Sequence, residues 1–289
     1  MSRSEIPDSS WSDIKVERDA LVGHLPEDQF LKKLLKGVTR VARDKCNPIR
    51  GNLAASGLRE IVGHVLHSLA PDEEVKGCVW FKQAPDTKTV TRRQRANYIV
   101  HAGLPDKFVK ETLNLDVQEH VQSLLKTMGK LHSKAHVQAE TILYEDQDVR
   151  GMIQKVLFGL RNLLDAAAES RERVEHALAE VVYNAILDNL ILNTIQELDE
   201  LSSHTSVRGH HIDTIEVREM TATKIGYHIT GEVETELQYG SNSDVRNDMG
   251  FRQDASYPYS AMITSSPREP LEIYSDDVTL EVDTRGFFK

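Results

Sequence analysis

The sequence has little cysteine, no long apolar run and few aromatic side chains. It holds only two cysteines, Cys46 and Cys78, too few for a disulfide framework or a cysteine-based zinc site. They read as reduced thiols, as in a cytosolic protein. No apolar stretch approaches the roughly 18 residues that a membrane-spanning helix needs. The first residues, MSRSEIPDSSWSDIKVERD, lack the apolar centre of a secretory signal. The expected location is therefore the cytoplasm, with no membrane partner. There is also no glycine-rich phosphate loop, no nucleophile elbow and no CxxC pair, which removes the readiest signatures of nucleotide, acyl-transfer and dithiol chemistry.

What is present is an ordinary folding composition over 289 residues, 39% hydrophobic and 28% charged. That length suits two domains or one large one. The net charge of −10 is unevenly spread. Between Leu31 and Glu60 eight bases face two acids, and the same balance recurs between Lys76 and Lys110. From Leu201 onward 15 acids face 8 bases. An acidic chain can still bind nucleic acid if its bases gather on one face.

Residues 1–26 read as a flexible tail, with Trp11, Ile14 and Val16 able to dock. Residues 27–205 read as a helical domain. Phe30, Leu31, Leu34, Leu35, Val38 and Val41 recur at helical spacing, and Leu58, Ile61, Val62, Val65 and Leu66 mark a second helix. Thr91 is a plausible N-cap for RRQRANYIVHAG, with Gly103 closing that helix. The run Asp146–Ala168 and the run Arg171–Leu201 predict a long antiparallel helix pair turning near Ala168–Ser170. After Ser202 the apolar period falls to two. Val233, Thr235, Leu237 and Tyr239 alternate with Glu232, Glu234, Glu236 and Gln238, the cleanest half-buried strand in the chain. Residues 206–289 thus read as an antiparallel β domain. The fold class is α+β, a multi-helix region followed by a small antiparallel sheet or sandwich.

Several patterns carry chemistry. Arg59 and His64 have an Arg-x4-His spacing that resembles the signature of HEPN ribonucleases, helical enzymes that cut RNA without metal. There a histidine moves a proton from the ribose 2′-OH and an arginine steadies the phosphate. Arg95/His101 and Arg171/His176 show related spacings, and helix-surface residues would show them too. His132 and His136 are spaced to share a helix face, as metal ligands or as residues lining a site. Pro71-Asp72 with Glu74-Val75-Lys76 contains both pieces of a restriction-type metal motif, but without the strand that normally separates them. Glu232, Glu234 and Glu236, with Asp244 nearby, would bind a divalent cation only if they converged; otherwise they form a solvated face. Arg92, Arg93 and Arg95 follow the Thr91 cap, and a helix N-terminus with arginines suits a phosphate.

The blocks VKGCVWFKQ, TRRQRANYIVHAGLPDKFV, KLHSKAHV and above all ELQYGSNSDVRNDMG resemble bacterial predicted PIWI-associating nuclease proteins. The resemblance runs from about Asn47 to the C-terminus. It implies a nuclease acting on RNA or DNA in phage or mobile-element defence, with a protein partner from the same operon. The similar β module accompanies other effector domains, which implies a sensing or docking role and places catalysis in the helices. Arg59, His64 and His136 are then the expected catalytic residues, and Arg92, Arg93 and Arg95 the nucleic-acid-binding ones. No resident metal or other cofactor is expected, and a homo-oligomer is compatible with the pattern. The alternative is a non-enzymatic sensing or interaction module that serves a separate effector.

Overall fold

The computed structural model describes residues 9–288. The fold is α+β, a helical region followed by a four-stranded antiparallel sheet. The chain divides into two compact units. One comprises the residues up to Ala102 with Asn114–Ser170, and the other Gly103–Leu113 with Arg171–Lys289.

The first unit opens with α1 (Trp11–His24), where Ser10 and Asp13 form a capping box. Burial of Ile14 and Leu21 gives this helix a packed face. Of the expected tail, residues 1–8 lie outside the described residues and Trp11–His24 form this helix. Next come α2 (Gln29–Arg43), α3 (Arg50–Leu69), α4 (Asp72–Gly77) and α5 (Arg92–His101). In α3, Leu58, Ile61, Val62 and Val65 are fully buried. This helix is the centre of the unit, packing against α2 and α5. A Cβ on Gly57 would lie 2.5 Å from Val38 Cγ2, so the close α2–α3 crossing needs a glycine there. Arg50 is almost wholly buried, and its guanidinium donates to Ala42 O, Tyr144 O and Asp146 Oδ1 at 2.8–3.0 Å. One base of the first positive stretch is therefore a structural tie.

The second unit begins with α6 (Asp106–Glu111). The chain then re-enters the first unit as α7 (Val117–Ala135), which packs on α3. Asn52 of α3 holds the segment after α7. Its side chain donates to Lys134 O and Thr141 O and accepts from Leu143 N.

The expected antiparallel pair is a single helix, α8 (Asp146–Leu192). The expected turn, Ala168–Ser170, contains no glycine or proline. The apolar stripe also passes through it in phase: Leu163, Ala167, Ser170, Val174 and Leu178 are all buried. Only Ser170 breaks the apolar character of that stripe, and a serine in phase does not end a helix.

After the short α9 (Gln196–Asp199) the chain forms β1 (His204–Met220), β2 (Ile225–Tyr239), β3 (Phe251–Ser265) and β4 (Val278–Val282). They pair in chain order as one meander rather than a sandwich. Tyr227, Ile229, Val233, Leu237, Tyr257 and Tyr259 line its inner face. Residues of α8 beyond Arg171 lie against that face: Glu175 Oε1 accepts from Val217 N, and Asn189 Nδ2 donates to Ser275 O. β1 carries register shifts at Val207/Gly209, Ile212/Thr214 and Val217/Glu219. Between β2 and β3, Gly240 takes φ +93°, and Ser241 caps α10 (Asn242–Arg246).

Candidate nucleic-acid interface

The N-terminus of α5 opens onto a cleft of about 630 Å³ within the first unit. Thr91 is the N-cap, accepting from Gln94 N, while Gln94 Oε1 accepts from Thr91 N. Gln94 also donates through Nε2 to Lys82 O at 2.7 Å, tying the loop before α5 to the helix start. Within that loop Thr87 and Thr89 bring their hydroxyls 2.9 Å apart, and both line the cleft. Arg92 and Arg93 are exposed at its rim. Arg93 reaches Gln118 Oε1 at 3.2 Å, and among the described residues the Arg92 side chain has no hydrogen-bond or ion-pair partner.

His67, exposed in the last turn of α3, lines the same cleft. Asp72 lies beside it. The hydrogen bond from Arg95 holds the Asp72 carboxyl below the ordinary carboxylate range, aided by the positive charges of Arg95, Lys76 and His67. The cleft therefore offers unneutralised cations on Arg92 and Arg93, hydroxyls on two threonines, and an imidazole next to an ionised carboxylate. Those are the parts that hold a phosphodiester and move a proton near it.

Arg95 occupies a different position from its neighbours. It is 3% exposed, and its guanidinium is bonded to Ala70 O and the Asp72 carboxylate. It braces the start of α4 against α5 rather than facing solvent. Tyr98 and Ile99, three and four residues on, are buried with it, so the helical phase carries a signal that Arg95 points inward. The C-cap of α5 is Ala102, not Gly103, in an unusual conformation with φ 48° and ψ −130°. Trp80 Nε1 donates to its carbonyl at 2.7 Å and Cys78 Sγ at 3.6 Å, which fixes the strained peptide. Burial and the Glu74 charge push the Cys78 thiol up to about 12, so it is no thiolate nucleophile. Gly103 has a separate need: a Cβ there would lie 2.4 Å from Ala222 O.

The expected catalytic residues Arg59, His64 and His136 are not brought together. Arg59 and His64 project about 140° apart around α3, at 100° per residue. Arg59 lies 3.5 Å from Glu60. His64 Nε2 is 2.6 Å from Asp28 Oδ2, and its ring meets Phe30 edge-on at 4.9 Å. Asp28 is also the N-cap of α2, accepting from Leu31 N, so His64 locks α3 to the start of α2. His136 is the exposed C-cap of α7, its ring 5.5 Å from that of His132. It follows Ala135, whose carbonyl meets Ser56, a point about 12 Å along α3 from His64.

Among the described residues no three His, Cys, Asp or Glu side chains form a group that could hold a metal ion. Glu232, Glu234 and Glu236 do share the outer face of β2, opposite Pro258, Ser256 and Asp254 of β3. Glu236 is paired with Arg208 and with Arg252, the latter at 3.6 Å. Asp244 accepts from Ser241 N at 2.8 Å and from its hydroxyl at 2.7 Å, capping α10. The segment after Tyr239 is likewise occupied in its own fold, since Gln238 bonds Gly240 O, Asn242 Oδ1 and Arg252 Nε.

Two models of the predicted pPIWI-associating nuclease family match the chain, the first over residues 23–160 and the second over residues 167–288. The chain belongs to the predicted pPIWI-associating nuclease family. The first family region contains the whole α5 cleft, and the second contains the sheet. No curated protein and no solved structure matches the chain. Among the described residues no helix is long and apolar enough to cross a membrane.

Proposed function

We propose that this member of the predicted pPIWI-associating nuclease family binds and cuts nucleic acid at the α5 cleft, in defence against phage or mobile elements. The observation that carries the reading is the convergence of Arg92, Arg93, His67, Thr87 and Thr89 on one cleft. Arg92 and Arg93 hold the phosphate, with their own N–H groups in the first helical turn behind them. His67, which shares the cleft with Asp72, takes the proton of the attacking hydroxyl and returns one to the departing oxygen. This keeps the metal-independent Arg/His chemistry expected of a HEPN-like enzyme but assigns it to different residues. Arg95 holds the Asp72 carboxylate in place at the cleft. The family description names association with pPIWI proteins, which supports such a protein as the partner.

The test is cleavage of labelled single- and double-stranded RNA and DNA by the full chain, with magnesium and with EDTA. Cleavage is expected to persist in EDTA. His67→Ala is expected to lower the rate about 10²–10⁴-fold, the range for a lost acid–base group, and to leave binding unchanged. Arg92→Ala with Arg93→Ala is expected to weaken binding. Equal cleavage by wild type and His67→Ala refutes the assignment. Binding without cleavage on every substrate supports the non-enzymatic alternative.

A further inference from the structure

β4 covers only part of β3. Its ladder pairs Tyr259–Ile263 with Val278–Val282, and one more bond runs from Asp283 N to Pro258 O at 2.8 Å. There the chain turns away into a short 3-10 helix at Arg285–Phe288. The first half of β3, Phe251–Tyr257, pairs with β2 on one side and with no strand among the described residues on the other.

Backbone groups of a strand point alternately to its two sides. Pro258 O points toward β4, and Ala255 O points toward β2, where it accepts from Thr235 Oγ1. Arg252, Asp254 and Ser256 therefore direct their N–H and C=O groups to the bare edge. No register shift interrupts β3 against β2, so this edge is regular. β1, which forms the other edge of the sheet, has three register shifts. A regular bare edge is a template for strand addition.

We propose that two copies of this chain pair antiparallel through this half of β3, about a two-fold axis at Gln253. The occupant is argued from charge and size. An axis at Gln253 sets Arg252 of each copy opposite Asp254 of the other, on the outer sheet face shared with Glu236 and Gln238. It also sets Phe251, 57% exposed, opposite the small Ala255. Moving the axis by one residue to Asp254 would place the two Asp254 carboxylates opposite each other, which is destabilising. With the Gln253 axis, the two Arg252–Asp254 pairs are the hydrogen-bonded type, each exchanging two backbone bonds. Met249, 72% exposed, precedes the strand at the end that this register brings beside Tyr257 of the second copy. Tyr257 there lines a cleft of about 730 Å³ with Ser256, Pro258, Arg285 and Phe287, open to such a side chain. This interface uses no residue of the α5 cleft and stands whether or not that cleft cuts nucleic acid.

Sedimentation of the full chain over a concentration series tests the pairing. A dimer is expected, with a dissociation constant raised at least tenfold by Asp254→Arg and by Arg252→Asp, since each puts like charges in register. Mixed together, those two variants are expected to form a heterodimer, and the double exchange R252D/D254R to restore the homodimer. Circular dichroism of each variant checks that the fold is kept. A wild-type chain that sediments as a monomer at roughly 100 μM, where even a weak specific interface is populated, overturns the proposal. So does a dimer indifferent to both charge reversals.

Discussion

At the scale of single residues, this structure separates side chains that the sequence presents as equivalent. Arg92, Arg93 and Arg95 follow one cap in three nearby positions, yet two are exposed and the third is a buried brace. His64 and His67 stand one turn apart, yet His64 ties two helices and His67 lines the cleft. Spacing along a helix was enough to place both histidines on α3. It did not reveal Asp28, 36 residues away, as the partner of His64, because that contact depends on how α2 crosses α3. The tie has a pH signature. Burial works against the Asp28 carboxylate, but the hydrogen bonds from Leu31 N and His64, with the His64 charge, leave its pKa below the ordinary value. A carboxyl depressed on folding stabilises above its unfolded pKa, about 3.9, and loses that contribution as pH falls through its folded pKa. Urea unfolding between about pH 5 and pH 2 should therefore show a steeper acid loss of stability for wild type than for Asp28→Asn. At neutral pH His64→Ala should cost about 1–3 kcal/mol, as for a lost hydrogen bond to a charged group.

At the scale of elements, residues with a clear period were the most legible. The alternation around Val233 and Leu237 located β2, and the change from helix to strand near Ser202 is real. The continuity of α8 is legible in the phase of Leu163, Ala167, Ser170 and Val174, which runs unbroken through Ala168–Ser170. Less visible was the reason for a glycine inside β2. A Cβ on Gly231 would lie 2.1 Å from His211 O and 2.7 Å from the Tyr259 hydroxyl. The bare backbone lets the Tyr259 ring lie across the strand, so that its hydroxyl reaches the buried His210 Nδ1 at 2.9 Å. His210 is stacked on Tyr183 at 4.2 Å and bonded through Nε2 to Tyr183 O. Its burial lowers its pKa, and in the neutral ring Nε2 donates to the Tyr183 carbonyl while Nδ1 accepts from the Tyr259 hydroxyl. Gly231→Ala is expected to destabilise by about 2 kcal/mol or more, through strain at a filled site, and to shift the Tyr259 and His210 side-chain NMR signals. An unchanged melting temperature would show that the strand relaxes at no cost.

At the scale of the whole molecule, the acidic total and the basic cleft act over different ranges. The charge of −10 repels a polyanion at a distance, and that repulsion is screened beyond about 10 Å at 0.1 M salt. In the proposed binding mode Arg92 and Arg93 would act at contact. Affinity for nucleic acid should therefore rest on local counterion release, with a slope of about −0.9 in log K against log salt for each phosphate neutralised on duplex DNA. Replacing both arginines by alanine should flatten that slope by roughly 2. A slope unchanged by the double substitution would place the phosphate contacts elsewhere.

The three irregularities of β1 bear on what this sheet can become. A meander with two smooth edges could add strands at both ends without limit and grow into a fibre. Here one border is broken at Val207/Gly209, Ile212/Thr214 and Val217/Glu219, and each break puts the next backbone groups out of step with an incoming strand. Association by strand addition would thereby be confined to the opposite border, where the proposed two-fold match would close on itself at two chains. β1 in this way caps the sheet against open-ended polymerisation.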